Sequence, residues 1–151
     1  MVSTESRQRR LALLEEHFAS EVEKEFDRTV ATFAGPPRYE IMATGQVHDG
    51  EEAVLAYHRA QRAAFPDQRH ENVRMHVADD TVVAEFDLLG TNLGEFYGGP
   101  PTGKAFRVPV IAVFFFEGDL LTNERIYLDV ASLLGQIGRT DLLGLAAELG
   151  R

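Results

Sequence analysis

Cysteine is missing from all 151 positions. Its absence excludes disulfides, thiolate nucleophiles and zinc–thiolate sites, and suits a reducing cytoplasm. An apolar leader is missing as well: MVSTESRQRR is polar and runs into charges every few residues, so secretion is not expected. No stretch is apolar enough to span a bilayer. The longest run, Val108 to Phe116 with Pro109 inside it, falls well short of the ~18 residues required and reads as a buried strand. Basic charge is scarce, with 15 Lys and Arg against 24 Asp and Glu and a net charge of −9. That field repels phosphate backbones and anionic headgroups, so neither nucleic acid nor a membrane is an expected partner. Metal-ligand spacing is also lacking, because His17, His48, His58, His70 and His76 form no HExxH pattern. No metal is expected. Gly90, Gly94, Gly98 and Gly99 lack the Lys-Ser/Thr ending of a phosphate-binding loop. Ser132 and Thr102 have no neighbouring base to activate them.

What is present is an ordinary globular balance, 44% hydrophobic and 26% charged, in a chain sized for one domain that buries roughly 68–70% of its unfolded surface. Leu11, Leu14, Phe18, Val22, Phe26, Val30 and Phe33 recur at helical steps, which predicts one long helix or two sharing a bend, with residues 1–9 flexible. Gly35-Pro36-Pro37 ends it, and a short strand spans Tyr39 to Thr44. Asp49 as N-cap with Glu52 three residues on starts a helix to about Phe65. The period then changes to two, predicting strands around 72–77, 81–89, 106–116 and 120–130 joined by turns at Asp79-Asp80, Gly98 to Gly103 and Glu117-Gly118-Asp119. Short helical segments follow Ser132, with 139–151 as a helical tail. Helices first and a strand meander afterwards predict an α+β domain over 1–151.

The candidate chemistry centres on the last strand, where Arg125, Tyr127 and Asp129 share one face and Ile126, Leu128 and Val130 the other. Asp129 late in a buried strand is the expected acid/base, since desolvation raises a carboxyl toward neutral pH; the alternative is an Asp that caps the next helix or pairs with Arg125. Glu85 and Asp87 share a strand face and could split their affinities for a proton, or lie on a solvated surface. His58, near Tyr57, is the histidine expected to reach the pocket, with an ordinary surface histidine as the alternative. Ala112, Phe114 and Phe116 lie on one sheet face and Ile111, Val113 and Phe115 on the other. Both faces therefore need cover, and a homodimer through the outer sheet face is expected unless a C-terminal helix covers it.

Four segments together resemble the SnoaL-like polyketide cyclases: Gly90 to Glu95, Pro100-Pro101-Thr102-Gly103-Lys104, Tyr127-Leu128-Asp129, and Leu133 to Gly138. Phe26-Asp27 and Gly45 to Gly50 are similar too, so the resemblance covers most of 10–138. It implies a nuclear transport factor 2-like fold, a cone-shaped, strongly curved mixed or antiparallel sheet whose N-terminal helices close a pocket. It also implies intramolecular aldol ring closure by an aspartate, at the position of Asp129, without metal or organic cofactor. Where the family often has His this chain has Asn92, and where its cyclases place Gln and His it has Val113 and Phe115. Enolate stabilisation would then fall to Asn92, Tyr127 or water. These departures point to a smaller or more apolar carbonyl substrate, with Asn92, Val113, Phe115 and Tyr127 as expected lining beside His58, Glu85 and Asp87 from the face patterns.

Three functions follow: a cofactor-independent cyclase or isomerase, a non-catalytic small-molecule binding domain of the same fold, or an epoxide hydrolase using Asp129, Arg125 and Asp87. The observation that bears on them most is whether the Asp129 carboxylate opens into an enclosed cavity of at least ~300 Å³.

Overall fold

The computed structural model describes residues 1–149, with the side chains of 146 and 147 excepted. The N-terminal apolar pattern folds as two helices, α1 (Thr4–Glu23) and α2 (Phe26–Ala31), separated where Lys24 adopts φ 61°. Helix α1 begins inside the stretch expected to be flexible, because the Ser3 side chain accepts the Ser6 N–H and caps it. Its inward face is also not the expected one. Leu14, His17, Ser20 and Glu21 are buried while Val22 is exposed, so a polar stripe faces the sheet. That burial is tolerable because each polar group finds a partner.

Strands β1 (Arg38–Ile41) and β2 (Gln46–Asp49) form a hairpin, the second strand occupying a stretch not read as a strand from sequence. Helix α3 (Glu51–Ala64) then starts with Gly50 as N-cap at φ 92°, without a side-chain cap. The expected cap, Asp49, ends β2 and pairs with Arg38 at 3.1 Å instead. Four long strands follow: β3 (Arg69–Val77), β4 (Thr81–Thr91), β5 (Ala105–Glu117) and β6 (Leu120–Leu128). They are succeeded by α4 (Val130–Ile137), a 3-10 turn (Thr140–Leu142) and α5 (Leu143–Glu148). The expected tail thus contains helix, and its last two residues, 150 and 151, lie outside the described ones.

One curved, open six-stranded sheet runs β2-β1-β6-β5-β4-β3, with β1 parallel to β6 and every other pair antiparallel. The inner face carries Val82, Ala84 and Phe86 of β4 and Phe106, Val108, Val110, Ala112, Phe114 and Phe116 of β5, all buried beneath α1 and α3. A register shift between Phe115 and Phe116 resets the alternation of β6. Glu124, Ile126 and Leu128 consequently point inward, and Arg125 and Tyr127 outward.

Candidate functional site

The inward face of β6 and the polar stripe of α1 meet over the curve of the sheet, and there the chain buries a cluster of ionisable side chains. His17 and Glu21 lie one helical turn apart on α1. His17 Nε2 sits 3.3 Å from Glu21 Oε1 and 3.1 Å from Glu124 Oε2. The other ring nitrogen, Nδ1, is 2.8 Å from the Thr32 hydroxyl, which itself donates to the Thr29 carbonyl oxygen at 2.6 Å. Thr32 Oγ1 must therefore accept, so Nδ1 carries a proton. Tyr39 of β1 joins the centre: its hydroxyl donates to Glu21 Oε1 at 3.2 Å and lies 3.0 Å from His17 Nε2 and 3.1 Å from His58 Nε2. His58 can donate from Nε2 to the Tyr39 oxygen, whereas the single Nε2–H of His17 is shared among Tyr39, Glu21 and Glu124. His70 Nε2 reaches the second oxygen of Glu21 at 3.2 Å.

Burial opposes charge on His17, but Glu124 and Glu21 outweigh it and hold the imidazole up to about 10, so it is a cation at neutral pH. The two acids then diverge. Burial pushes both upward, yet Glu21 receives His17, His70 and the Tyr39 hydroxyl and ends well below the usual carboxylate range. Glu124 is raised by burial and by the negative charge of Glu21, with His17 only partly offsetting them. Its Oε2 is fully buried without a hydrogen bond, although His17 is near. Burial drives His58 down to about 4 and Tyr39 and Tyr57 upward, leaving all three neutral. One carboxyl lowered beside one raised is the divergence that separates acid and base roles in a pair.

Glu21, Tyr39, His58, Arg62, His70 and Glu124 line a cavity of about 90 Å³, whose remaining wall is largely apolar, with Phe18, Phe65, Phe86, Phe106, Val110 and Ile126. A second, more apolar chamber of about 100 Å³ adjoins it and includes Ile41, Phe96, Tyr97, Leu134, Leu142 and Leu145. Tyr57, Gln61, Phe65, Leu128 and Leu133 belong to both linings. Each chamber is smaller than the ~300 Å³ expected for a drug-sized ligand, so the space suits a single ring or a short chain.

The residues expected to build the site are, with one exception, elsewhere. Asp129 is exposed and is the N-cap of α4, its Oδ1 accepting the Ser132 N–H at 2.9 Å. The apolar Ile126 and Leu128 claim the interior and turn the opposite parity of β6 to the outside. Tyr127 is 43% exposed on that outer face. Val113 and Phe115 are on the outer face of β5, where the Arg125 guanidinium lies 4.8 Å from the Phe115 ring and pairs with Glu40. Glu85 bonds His76 at 2.7 Å, and Asp87 bonds Asn72 at 3.0 Å and Arg107 at 2.7 Å, again outside. Asn92 is fully buried but fastens a loop, accepting the Thr102 N–H and donating to the Gly94 carbonyl oxygen, each at 2.9 Å. Asp129, Arg125 and Asp87 do not surround a common water site, which removes the arrangement for epoxide hydrolysis. His58 does stand in the cavity wall.

A divalent cation has one candidate donor set among the described residues: His17, Glu21 and Glu124 offer ligand atoms within 4.8 Å of one another. Spacing along the sequence does not reveal this set, because it joins the His17–Glu21 pair of one helix turn to Glu124 of β6. A metal there would first have to displace the proton that Glu21 and Glu124 hold on His17.

Comparison with known proteins bears on the family and the fold. A family model for SnoaL-like polyketide cyclases matches residues 9–137. No curated protein sequence matches. Among solved structures, a candidate SnoaL-like polyketide cyclase from Jannaschia sp. CCS1 has a TM-score of 0.77 and 22% identity, covering 86% of this chain and 92% of its own. TsrD from Streptomyces laurentii has a TM-score of 0.74 and 23% identity, covering 92% and 99%. IdmH from Streptomyces antibioticus, a candidate polyketide cyclase, has a TM-score of 0.72 and 19% identity, covering 85% and 98%. At these identities the likeness to each is one of fold.

Proposed function

Because the chain belongs to the SnoaL-like polyketide cyclase family, with its nuclear transport factor 2-like α+β fold, we propose that it is a cyclase or isomerase that moves a proton next to a carbonyl, with Glu124 as acid/base. The observation that carries this reading is the position of Glu124: it lines the cavity, is 4% exposed, and is raised by burial beside an ionised partner. Burial moves this acid toward holding its proton, which suits it to give and take one beside a bound carbonyl.

In the proposed reaction the Glu124 carboxylate removes a proton from the carbon beside a carbonyl, and the electron pair moves onto the carbonyl oxygen. The resulting enolate either recovers the proton at another carbon, which isomerises it, or attacks a second carbonyl within the same molecule. In the second case a carbon–carbon bond forms and protonated Glu124 returns its proton to the new alkoxide oxygen. His17 serves as a positioning residue, fixed by Thr32 and holding Glu21 ionised. Tyr39 and neutral His58 supply further polar hydrogens at the wall, and the aromatic lining excludes competing water.

The test is deuterium exchange at the α-carbon of a panel of small monocyclic ketones, followed by NMR. Exchange above the buffer rate is expected, with a loss of about 10²–10⁴-fold in Glu124→Gln and none in Asp129→Asn. Gln mimics the protonated acid and Asn remains an N-cap, so both variants should fold. Loss in Asp129→Asn with retention in Glu124→Gln would refute the assignment. No exchange by the wild-type protein would favour a binding domain instead.

We further propose a homodimer through the outer sheet face and a cytoplasmic location. Exposed Ile111 and Tyr127 on that face and the cysteine-free sequence support these readings. No described helix is long and apolar enough to cross a membrane.

A further inference from the structure

One cation of the inner chamber has no counter-ion. Arg62, on the inward side of α3, is 5% exposed and lines the cavity. Its Nη2 donates to the carbonyl oxygen of Glu21 at 3.2 Å, while Nε is buried without a partner. Among the described residues no ion pair joins it to a carboxylate. Glu21 is the acid that favours its charge, yet that carboxylate is already engaged by His17, Tyr39 and His70. The remaining neighbours are weak substitutes. Phe26 lies 5.9 Å from the guanidinium carbon, and the C-terminal end of α1 offers only the partial charge of its carbonyls.

A guanidinium does not shed its proton in compensation. Arg62 is therefore a buried cation held by one backbone carbonyl oxygen and, among the described residues, by no carboxylate, and a charge so placed is costly. We propose that Arg62 anchors a monoanionic ligand, a small carbonyl compound bearing a carboxylate that takes the vacant counter-ion position. A phosphate monoester carries nearly two negative charges, more than one guanidinium balances, and would meet repulsion from ionised Glu21. A single carboxylate matches one guanidinium in charge and in paired hydrogen-bond geometry, and Phe65, Phe86 and Phe106 suit a ring behind it. The proposal rests on the reading of this cavity as the reaction site and adds the class of substrate.

Calorimetric titration of the full chain with sodium benzoate and with benzamide, its neutral counterpart of equal size, tests the inference. Benzoate should bind at least about tenfold more tightly, and Arg62→Gln should erase that preference while leaving benzamide affinity unchanged. Equal affinities, no binding of either probe, or a preference that survives Arg62→Gln would each overturn it. A benzoate-soaked crystal of the wild-type protein decides the matter even if that variant fails to fold: the carboxylate on Arg62 supports the assignment, and any other location refutes it. Glu124→Gln separates the two proposals. The benzoate preference persists in that variant whether or not α-proton exchange is lost, and its disappearance there would count against Arg62 as the anchor.

Discussion

A single free N–H on an imidazole cannot serve two carboxylates equally, and the asymmetry between Glu21 and Glu124 follows from that shortage. Its consequence for stability can be worked out group by group. His17 rises from 6.5 to about 10 on folding, so its stabilising contribution is complete below pH 6.5 and lost as pH climbs toward 10. Glu124, raised from 4.5, also contributes most at low pH and loses its contribution as pH rises through its folded value. His58 falls to about 4 and Glu21 falls below 4.5, so both withdraw stability as pH drops. Stability is therefore predicted to peak near pH 6.5 and to fall by on the order of a few kcal/mol by pH 9.5. Urea unfolding across that range checks it, with His17→Gln expected to be less stable throughout but flatter on the alkaline side; parallel curves would remove His17 as the cause. Asp129 makes a separate contribution through its cap: Asp129→Ala should cost about 1 kcal/mol and Asp129→Asn little, read from the same unfolding curves. Signals for the buried cluster are present in the sequence, because Glu124 shares a strand face with Ile126 and Leu128, and His17 and Glu21 share a helix face with Leu14. Position along β6 points to Asp129, whereas the apolar side chains decide which parity of β6 turns inward.

The elements were legible wherever a period persisted and obscure wherever one residue shifted it. Helix α3 and strands β4, β5 and β6 follow directly from their patterns, but β2 is only four residues long and carries no period of its own. The bulge that resets β6 depends on pairing with β5, which no local pattern reveals. The loop from Asn92 to Lys104 shows how a motif can be structural. Leu93 and Gly94 donate their N–H groups to the Ala64 carbonyl oxygen at 3.0 and 3.2 Å, fastening the end of α3 over the sheet. A Cβ on Gly94 would fall 1.9 Å from the Ala63 carbonyl oxygen, a backbone atom that cannot step aside. Gly94→Ala is thus predicted to destabilise by roughly 2–4 kcal/mol, in the range of severe strain and overpacking, and to disturb the cavity through Phe65. Gly135, in the exposed middle of α4, meets nothing within 4 Å, so Gly135→Ala should stabilise by about 0.5–1 kcal/mol. Thermal melts of the two variants should move in opposite directions.

At the scale of the whole molecule, the helices cover one side of the curved sheet and leave the other to charged and apolar side chains in alternation. On that side Arg107 pairs with Glu71 and Asp87, and Arg125 with Glu40, while Ile111 and Tyr127 remain 43% exposed and Val73 40% exposed. The paired charges can form a polar rim while the uncovered apolar side chains form its centre, the distribution expected of a protein interface. A second copy is the occupant best matched to it, since a two-fold axis lets one patch with both signs of charge meet itself. The expected C-terminal alternative does not provide this cover, because Leu142 and Leu145 lie over the apolar chamber on the helical side. Ile111→Glu should therefore yield a folded monomer, with unchanged circular dichroism and a halved mass by sedimentation at micromolar concentration. Because the reactive groups all come from one chain, α-proton exchange should persist in that monomer. A wild-type protein already monomeric under those conditions would sink the dimer while leaving the assignment of Glu124 intact.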